Sequence, residues 1–166
     1  SSIRSFFKYL VFDGVITTNP AKMLEAPKIG RKLPNILTAD EVDAIENAVE
    51  MYKPEGQRNR AIIEMLYSCG LRVSELIDLK LSNINFRTGI VKIEGKGNKE
   101  RTVYLNNACV AAINSYMRVR PKDGVKDRKA LFLSNRLTRI SPKTVQHMVE
   151  IYLDKAIPQV VKDTAE

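Results

Sequence analysis

The sequence predicts an α+β fold that is mostly helical and carries a small three-stranded antiparallel sheet. Apolar residues recur at helical spacing through most of the chain, whereas between residues 84 and 105 they follow the shorter period of strands. Hydrophobic residues make up 44% and charged residues 28% of the 166 residues. This balance is typical of a domain with a packed core.

The first 36 residues predict one helix followed by a linker. The apolar residues on one face of this helix are Ile3, Phe6, Phe7, Leu10 and Val11, and Gly14 would end it. A single short helix cannot bury its apolar face alone, so we expect its packing partners upstream, in a longer chain. Residues 15–36 combine prolines and a glycine with lysines and arginines, which predicts an extended, basic linker.

From residue 37 onward the helix signals are regular. Thr38 and Glu41 fit a capping box at the start of a helix. Apolar stripes predict further helices over residues 58–68, 74–79 and 107–119. In the last predicted helix Ser141 is the capping residue and Pro142 occupies the first helical position.

The sheet is predicted from three short apolar runs. They comprise Ile84 with Phe86, then Ile90, Val91 and Ile93, and finally Val103 with Leu105. Glycine-containing turns at residues 87–89 and 95–99 separate the runs. The simplest arrangement is an antiparallel meander, in which each strand pairs with the next.

The charge of the chain favours an anionic partner. The net charge is +8 and the isoelectric point is about 9.5, and nucleic acid is the commonest polyanion that such a surface meets. Residues 37–80 carry five basic and nine acidic side chains, whereas residues 81–129 carry eleven basic and four acidic ones. This segregation fits a binding face, but composition alone fits a basic protein without nucleic-acid partners equally well.

Membrane insertion and metal binding find no support in the sequence. No apolar run approaches the roughly 20 residues that a helix needs to cross a bilayer. Cys69 and Cys109 have no companion ligands at metal spacing, so we interpret them as reduced thiols of a cytoplasmic protein. Ser1 to Arg4 do not form a charged-then-apolar leader, and we expect them to continue a longer chain.

The first candidate site is the stretch from Cys69 to Leu76. Arg72 directly follows the helix-ending Gly70 and its neighbour Leu71, and Glu75 lies one helical turn further on. Glu75 could orient the Arg72 guanidinium and leave its other donors for a phosphate. Spacing alone favours a structural ion pair at i, i+3 over a phosphate site.

The second candidate site is the turn from Gly95 to Arg101. Its glycines would let the backbone approach a ligand and leave Lys96 without bulky neighbours. Lys99 and Arg101 add two more positive charges that would suit a phosphate backbone. A solubilising turn explains the same residues equally well. The Gly-Lys-Ser/Thr of a Walker loop is absent, so ATP is not implied.

These two stretches, in this order and with strands between them, resemble the catalytic domain of the tyrosine recombinase (phage integrase) family, and in particular its Xer branch. Cys69–Leu76 resembles the first arginine motif of the family, and Gly95–Arg101 resembles its hairpin lysine motif. The resemblance runs from about residue 1 to residue 156. It implies that residues 1–14 are the last helix of an N-terminal core-binding domain, that 15–36 are a linker, and that 37–166 are the N-terminal part of a catalytic domain.

The resemblance implies site-specific DNA recombination without metal ion, ATP or other cofactor. A tyrosine would attack a phosphodiester of double-stranded DNA and form a 3′-phosphotyrosyl link, with the parent enzyme acting as a tetramer. Arg72 would stabilise charge on the non-bridging oxygens, Lys96 would protonate the leaving 5′-oxygen, and Glu75 would support Arg72. Weaker candidates for DNA contacts are Lys99, Arg101 and Lys143.

Two further parts of the family site have no match in the chain. His147 is followed at the third position by Glu150 and not by the arginine of the family's His-x-x-Arg motif, so we interpret it as a surface or packing histidine. All six tyrosines, up to Tyr152, precede the place of the family's nucleophile. We therefore expect the chain alone to be inactive. The alternative is a non-catalytic DNA-binding module on the same scaffold.

Overall fold

The computed structural model describes residues 2–24, 36–95 and 100–157, and the chain divides into two compact units, Ser1–Ile36 and Leu37–Glu166. The described part contains six α-helices and one three-stranded antiparallel sheet. The predicted fold class, mostly helical with a small antiparallel sheet, is therefore confirmed. No helix in these ranges is long and apolar enough to cross a membrane.

The first unit consists of helix α1 (Ser2–Phe12) and a 3₁₀ helix (Pro20–Met23). Asn19 caps the 3₁₀ helix through its Oδ1, which accepts from the Ala21 N–H at 2.9 Å, and its Nδ2 donates to the Arg4 carbonyl at 3.2 Å. The prediction of an extended chain after residue 15 is therefore wrong at this helix, because asparagine capping and the fixed φ of proline nucleate a turn. Residues 25–35 of the predicted linker lie outside the described residues.

The second unit contains the remaining five α-helices. They are α2 (Ala39–Asn47), α3 (Pro54–Cys69), α4 (Val73–Asp78), α5 (Asn107–Val119) and α6 (Pro142–Ala156). The predicted Thr38–Glu41 capping box is present, and Ser141 caps α6 by accepting from the Thr144 N–H at 3.2 Å. Helix α3 begins four residues earlier than predicted. Pro54 is preorganised for the first helical position, but the polar first turn shows no apolar stripe.

The sheet is the predicted meander of β1 (Ile84–Asn85), β2 (Ile90–Glu94) and β3 (Glu100–Tyr104) in the order β1-β2-β3. Val91 pairs with Ile84 on one side and with Val103 on the other. Val91 and Ile93 are buried whereas Lys92 between them is exposed, so one face of the sheet packs on the core.

The core lies between α3, α5 and the irregular segment that precedes α6. Fully buried residues at its centre include Ile62, Met65, Leu76, Ile113 and Phe132, and Phe132 stacks on Tyr116 with ring centroids 5.5 Å apart. The segment around Phe132 belongs to no named strand, but its backbone forms two isolated antiparallel bridges, Lys80 with Ala130 and Leu133 with Arg139. The buried guanidinium of Arg120 also holds this segment, because it donates to the carbonyls of Leu131 at 3.1 Å and Ala130 at 2.7 Å.

Candidate active site

Arg72 lies at the junction between two helices. Gly70 ends α3 in the left-handed conformation with φ of 58°, a conformation that costs glycine little. Leu71 is buried and anchors the connection, and Arg72 then occupies the capping position of α4 with extended backbone. As a result the Arg72 backbone is held between two packed helices while its side chain is 78% exposed.

Glu75 holds Arg72 from the first turn of α4. Its Oε2 accepts from the Arg72 backbone N–H at 2.9 Å, and its Oε1 lies 3.4 Å from the Arg72 Nη1. The carboxylate also lies at the positive end of the helix, where negative charge is favourable. The predicted support of Arg72 by Glu75 thus has a geometric basis, although the side-chain contact is long for a hydrogen bond.

Arg101 is a second partner of the same carboxylate. It lies on β3, and its Nη2 donates to the Glu75 Oε2 at 2.8 Å. The Glu75 side chain is only 8% exposed, whereas that of Arg101 is 47% exposed. One buried carboxylate therefore joins two guanidinium groups, and the cluster of Arg72, Glu75 and Arg101, here called the arginine cluster, carries a net positive charge.

Arg139 fixes the other end of α4. Its Nη1 donates to the carbonyls of Ile77 at 2.7 Å and Leu79 at 3.4 Å, which helix ends leave without helical partners. Its Nε donates to Asp127 Oδ2 at 2.9 Å. Although burial opposes it, this guanidinium lowers the pKa of Asp127 below its ordinary value, together with backbone N–H groups. Both ends of the short helix that presents Arg72 are thus held by arginine side chains from other parts of the fold.

An open cleft of about 640 Å³ adjoins the arginine cluster. It is lined by Arg72, Ser74, Glu75, Asp78, Glu94 and Gly95. The last two residues end β2 and begin its connection to β3, so the hairpin and the α3–α4 junction share one cleft. The cleft is wide enough for a phosphate group, and Arg72 is the basic side chain among the described residues that line it.

The structure describes only some of the remaining predicted site residues. Lys96 and Lys99 lie outside the described residues, directly after Gly95 in sequence. Lys143 is exposed in the first turn of α6. His147 is on the exposed side of the same helix, with Nδ1 3.8 Å from the Glu150 carboxylate, which agrees with its interpretation as a surface histidine.

The last two tyrosines of the chain are structural. The Tyr116 hydroxyl accepts from the Leu133 N–H at 3.2 Å, and burial raises the pKa of this tyrosine. The Tyr152 hydroxyl accepts from Asn59 Nδ2 at 3.1 Å and the side chain is buried. Neither hydroxyl is placed to attack a phosphodiester in solvent.

The burial of two arginines was not predicted from the sequence, and neither was the contact of Arg101 with Glu75. Arg120 and Arg58 are each 8% exposed, and both donate to backbone carbonyls of the segment before α6. Burial lowers the pKa of Arg58 from its ordinary value. No local sequence pattern predicts their burial, because an arginine at the start or end of a helix is usually exposed. These two are buried because of the tertiary packing around them.

Comparison with known proteins gives the same family as the sequence motifs. Residues 35–158 match the model of the phage integrase family. The chain is 48% identical over 157 residues to the tyrosine recombinase XerC of Caldanaerobacter subterraneus subsp. tengcongensis, covering 94% of this chain and 43% of that protein. It is 38% identical over 152 residues to XerD of Pseudomonas aeruginosa, covering 90% of this chain and 51% of that protein. The chain thus spans about half the length of these relatives.

Solved structures share the fold. A crystal structure of XerA recombinase superposes with a TM-score of 0.69 at 30% sequence identity, over 92% of this chain and 54% of that one. A λ integrase dimer bound to a core site gives a TM-score of 0.69 at 22% identity, over 93% of this chain and 55% of that one, a likeness of fold alone. By the family match over three quarters of its length, the chain belongs to the phage integrase family.

Proposed function

We propose that this chain supplies the phosphate-binding half of the active site of a site-specific tyrosine recombinase that cuts and rejoins double-stranded DNA. The observation that carries the proposal is the exposed side chain of Arg72, whose backbone is held at a helix junction by a buried carboxylate, in a chain of the phage integrase family. The two relatives described above are recombinases, which does not favour the alternative of a non-catalytic DNA-binding module.

Arg72 is assigned to the phosphate. During attack on a phosphodiester, negative charge builds on the non-bridging oxygens, and a fixed cation close to them lowers the barrier. A guanidinium suits this role because it remains charged and can donate two parallel hydrogen bonds. Glu75 and Arg139 hold the two ends of α4 and with them the backbone of Arg72, which limits the reorganisation needed when DNA arrives.

Lys96 is assigned to the leaving group. The departing 5′-oxygen needs a proton, and a lysine next to Gly95, which lines the Arg72 cleft, is close in sequence to the phosphate site. Lys99 and Lys143 are assigned to the DNA backbone, where each positive charge contributes to binding without reading the base sequence.

The tyrosine nucleophile is assigned to a part of the full-length enzyme outside this chain. Tyr116 and Tyr152 are buried and hydrogen-bonded, and the other four tyrosines precede the place of the family's nucleophile. We infer that the chain alone forms no covalent intermediate, and that the full-length enzyme acts in the cytoplasm as a tetramer on two duplexes. No metal ion or cofactor takes part in the proposed reaction.

Trapping of the covalent intermediate tests the proposal. Nicked suicide substrates, which release a short strand after cleavage, should accumulate a protein–DNA adduct with the full-length enzyme and none with this chain. Arg72→Ala in the full-length enzyme should slow adduct formation by about 10²–10³-fold. Lys53→Ala removes an exposed lysine at the start of α3 and should leave the rate unchanged. Normal adduct formation by Arg72→Ala would contradict the proposal.

A further inference from the structure

We infer that Arg101 is a positioning residue for Arg72: it neutralises the buried carboxylate of Glu75, so that Arg72 keeps its positive charge available to the phosphate. This inference rests on the proposed function and gives Arg101 a role other than the direct DNA contact expected from the sequence. It starts from the three charges of the arginine cluster and from the unequal contacts between them.

Glu75 has one strong and one weak guanidinium partner. Arg101 Nη2 lies 2.8 Å from Oε2, within the range of charge-assisted hydrogen bonds, whereas Arg72 Nη1 lies 3.4 Å from Oε1, at the weak end of hydrogen bonding. The more exposed of the two arginines is Arg72, at 78% against 47%. Arg101 is therefore the principal counter-ion of Glu75, and Arg72 is held mainly through its backbone N–H.

A buried carboxylate needs a counter-ion, since the charged form is poorly solvated inside a protein. Without Arg101, Glu75 would have only the Arg72 guanidinium to pair with. The pair would then be neutral, and a phosphate would have to compete with a carboxylate for the same donors. With Arg101 present, two positive charges face one negative charge, and Arg72 can turn to the phosphate while Glu75 remains paired.

The same contact ties the hairpin to the Arg72 junction. Arg101 pairs with Ile93 across the β2–β3 ladder, and residues 95–99, which include Lys96, connect these strands. The Glu75–Arg101 ion pair thus joins β3 to α4 across 26 positions of sequence. A second ion pair, Lys80 Nζ to Glu94 Oε1 at 3.3 Å, joins β2 to the segment after α4, but both of its side chains are substantially exposed.

Binding of the chain to a fluorescent DNA duplex tests the inference through the contribution of Arg72. In the wild-type background, Arg72→Ala should weaken binding by about tenfold, the value of one charge-assisted hydrogen-bonded contact. In the Arg101→Ala background the same change should weaken binding by less than about threefold, because the Arg72 guanidinium is then paired with Glu75 and contributes little to DNA binding. Adding Glu75→Gln to Arg101→Ala should restore the effect to about tenfold.

Two further variants separate this role from others. Arg101→Lys keeps the counter-charge and should preserve the full effect of Arg72→Ala. Lys80→Ala breaks the other hairpin ion pair without touching Glu75, and should also preserve it. An effect of Arg72→Ala that stays the same whether or not Arg101 is present would overturn the inference, because independent DNA contacts give additive losses.

Urea unfolding tests the ion pair without DNA. Arg101→Ala should lower the folding equilibrium constant by about three- to tenfold in the wild type and by less than about twofold in the Glu75→Gln background. Equal losses in both backgrounds would contradict the pairing itself. Failure of the wild-type chain to bind DNA at low salt would instead contradict the proposed function, so the two failures are distinguishable.

Discussion

At the scale of single residues, two charge clusters built on buried carboxylates have opposite balances of charge. In the arginine cluster one carboxylate, Glu75, lies between two guanidinium groups. Between α2 and α3 one guanidinium, that of Arg60, lies between the buried carboxylates of Glu46 and Glu64. Burial raises the pKa of Glu46 even though Arg60 opposes the shift. The second cluster has no surplus positive charge, which suits a structural role, whereas the first has one beside an open cleft.

Arg120 is predicted to stabilise the fold through its hydrogen bonds and not through its charge. Arg120→Met keeps most of the side-chain volume but leaves the carbonyls of Leu131 and Ala130 without their donors. We expect the free energy of unfolding, measured in urea, to fall by about 2–4 kcal/mol. Arg118→Ala, at an exposed position of the same helix, should change it by less than about 0.5 kcal/mol. A loss of that small size for Arg120→Met would contradict the assigned role.

The sequence predicted the local half of the arginine cluster but not the distant half. Arg72 and Glu75 are three residues apart, so helix geometry alone brings them together. Arg101 is 26 positions from Glu75, and its place on the carboxylate depends on how β3 packs against α4. Lys96 and Lys99 lie outside the described residues, so their predicted roles stay predictions.

At the scale of helices and strands, boundaries with strong local chemistry were predictable. The Thr38 capping box and the Ser141–Pro142 helix start are where the sequence predicted them. The three strands form in the predicted order, although β1 ends before Phe86 and β3 begins at Glu100 and ends before Leu105. The start of α3 and the 3₁₀ helix at Pro20–Met23 were not predicted, because short polar turns lack an apolar period. Both begin with a proline, and the 3₁₀ helix is also capped by the Asn19 side chain; such features permit a turn without requiring one.

Gly56 in the first turn of α3 is predicted to be irreplaceable for steric reasons. A Cβ at this position would overlap the carbonyl oxygen of Glu50. Gly56→Ala should therefore lower the free energy of unfolding by at least about 1–3 kcal/mol, the range for overpacking. At an open helical position alanine would instead stabilise by about 1 kcal/mol, and a gain in the urea midpoint would show that the close approach is absent.

Gly70 is the matched comparison for Gly56, because its replacement is expected to destabilise the fold for a different reason. A Cβ there has no neighbour within 4 Å, but the residue has φ of 58°. Gly70→Ala should therefore lower the free energy of unfolding by about 1–2 kcal/mol, because alanine is strained in this backbone conformation. Gly70→Asn should recover part of it, because asparagine tolerates this region.

At the scale of the whole molecule, the charge counted from the sequence overstates the positive charge that is free at the surface. Residues 81–129 have the largest basic excess, but Arg120 in this segment is buried and Arg101 is committed in part to Glu75. Charge segregation indicates where basic residues are concentrated along the sequence. It could not distinguish arginines that hold the fold together from arginines that face a ligand, since both types have the same composition.

The proposed function depends most on the assignment of Arg72 and Lys96 to different oxygens of one phosphate. A DNA substrate whose bridging 5′-oxygen is replaced by sulfur tests it directly, because the thiolate leaves without a proton. In the full-length enzyme, Lys96→Ala should slow cleavage of ordinary DNA by about 10²–10⁴-fold and should regain most of that loss on the sulfur substrate. Arg72→Ala should be slow on both substrates. Equal rescue of both variants, or rescue of neither, would contradict the assignment.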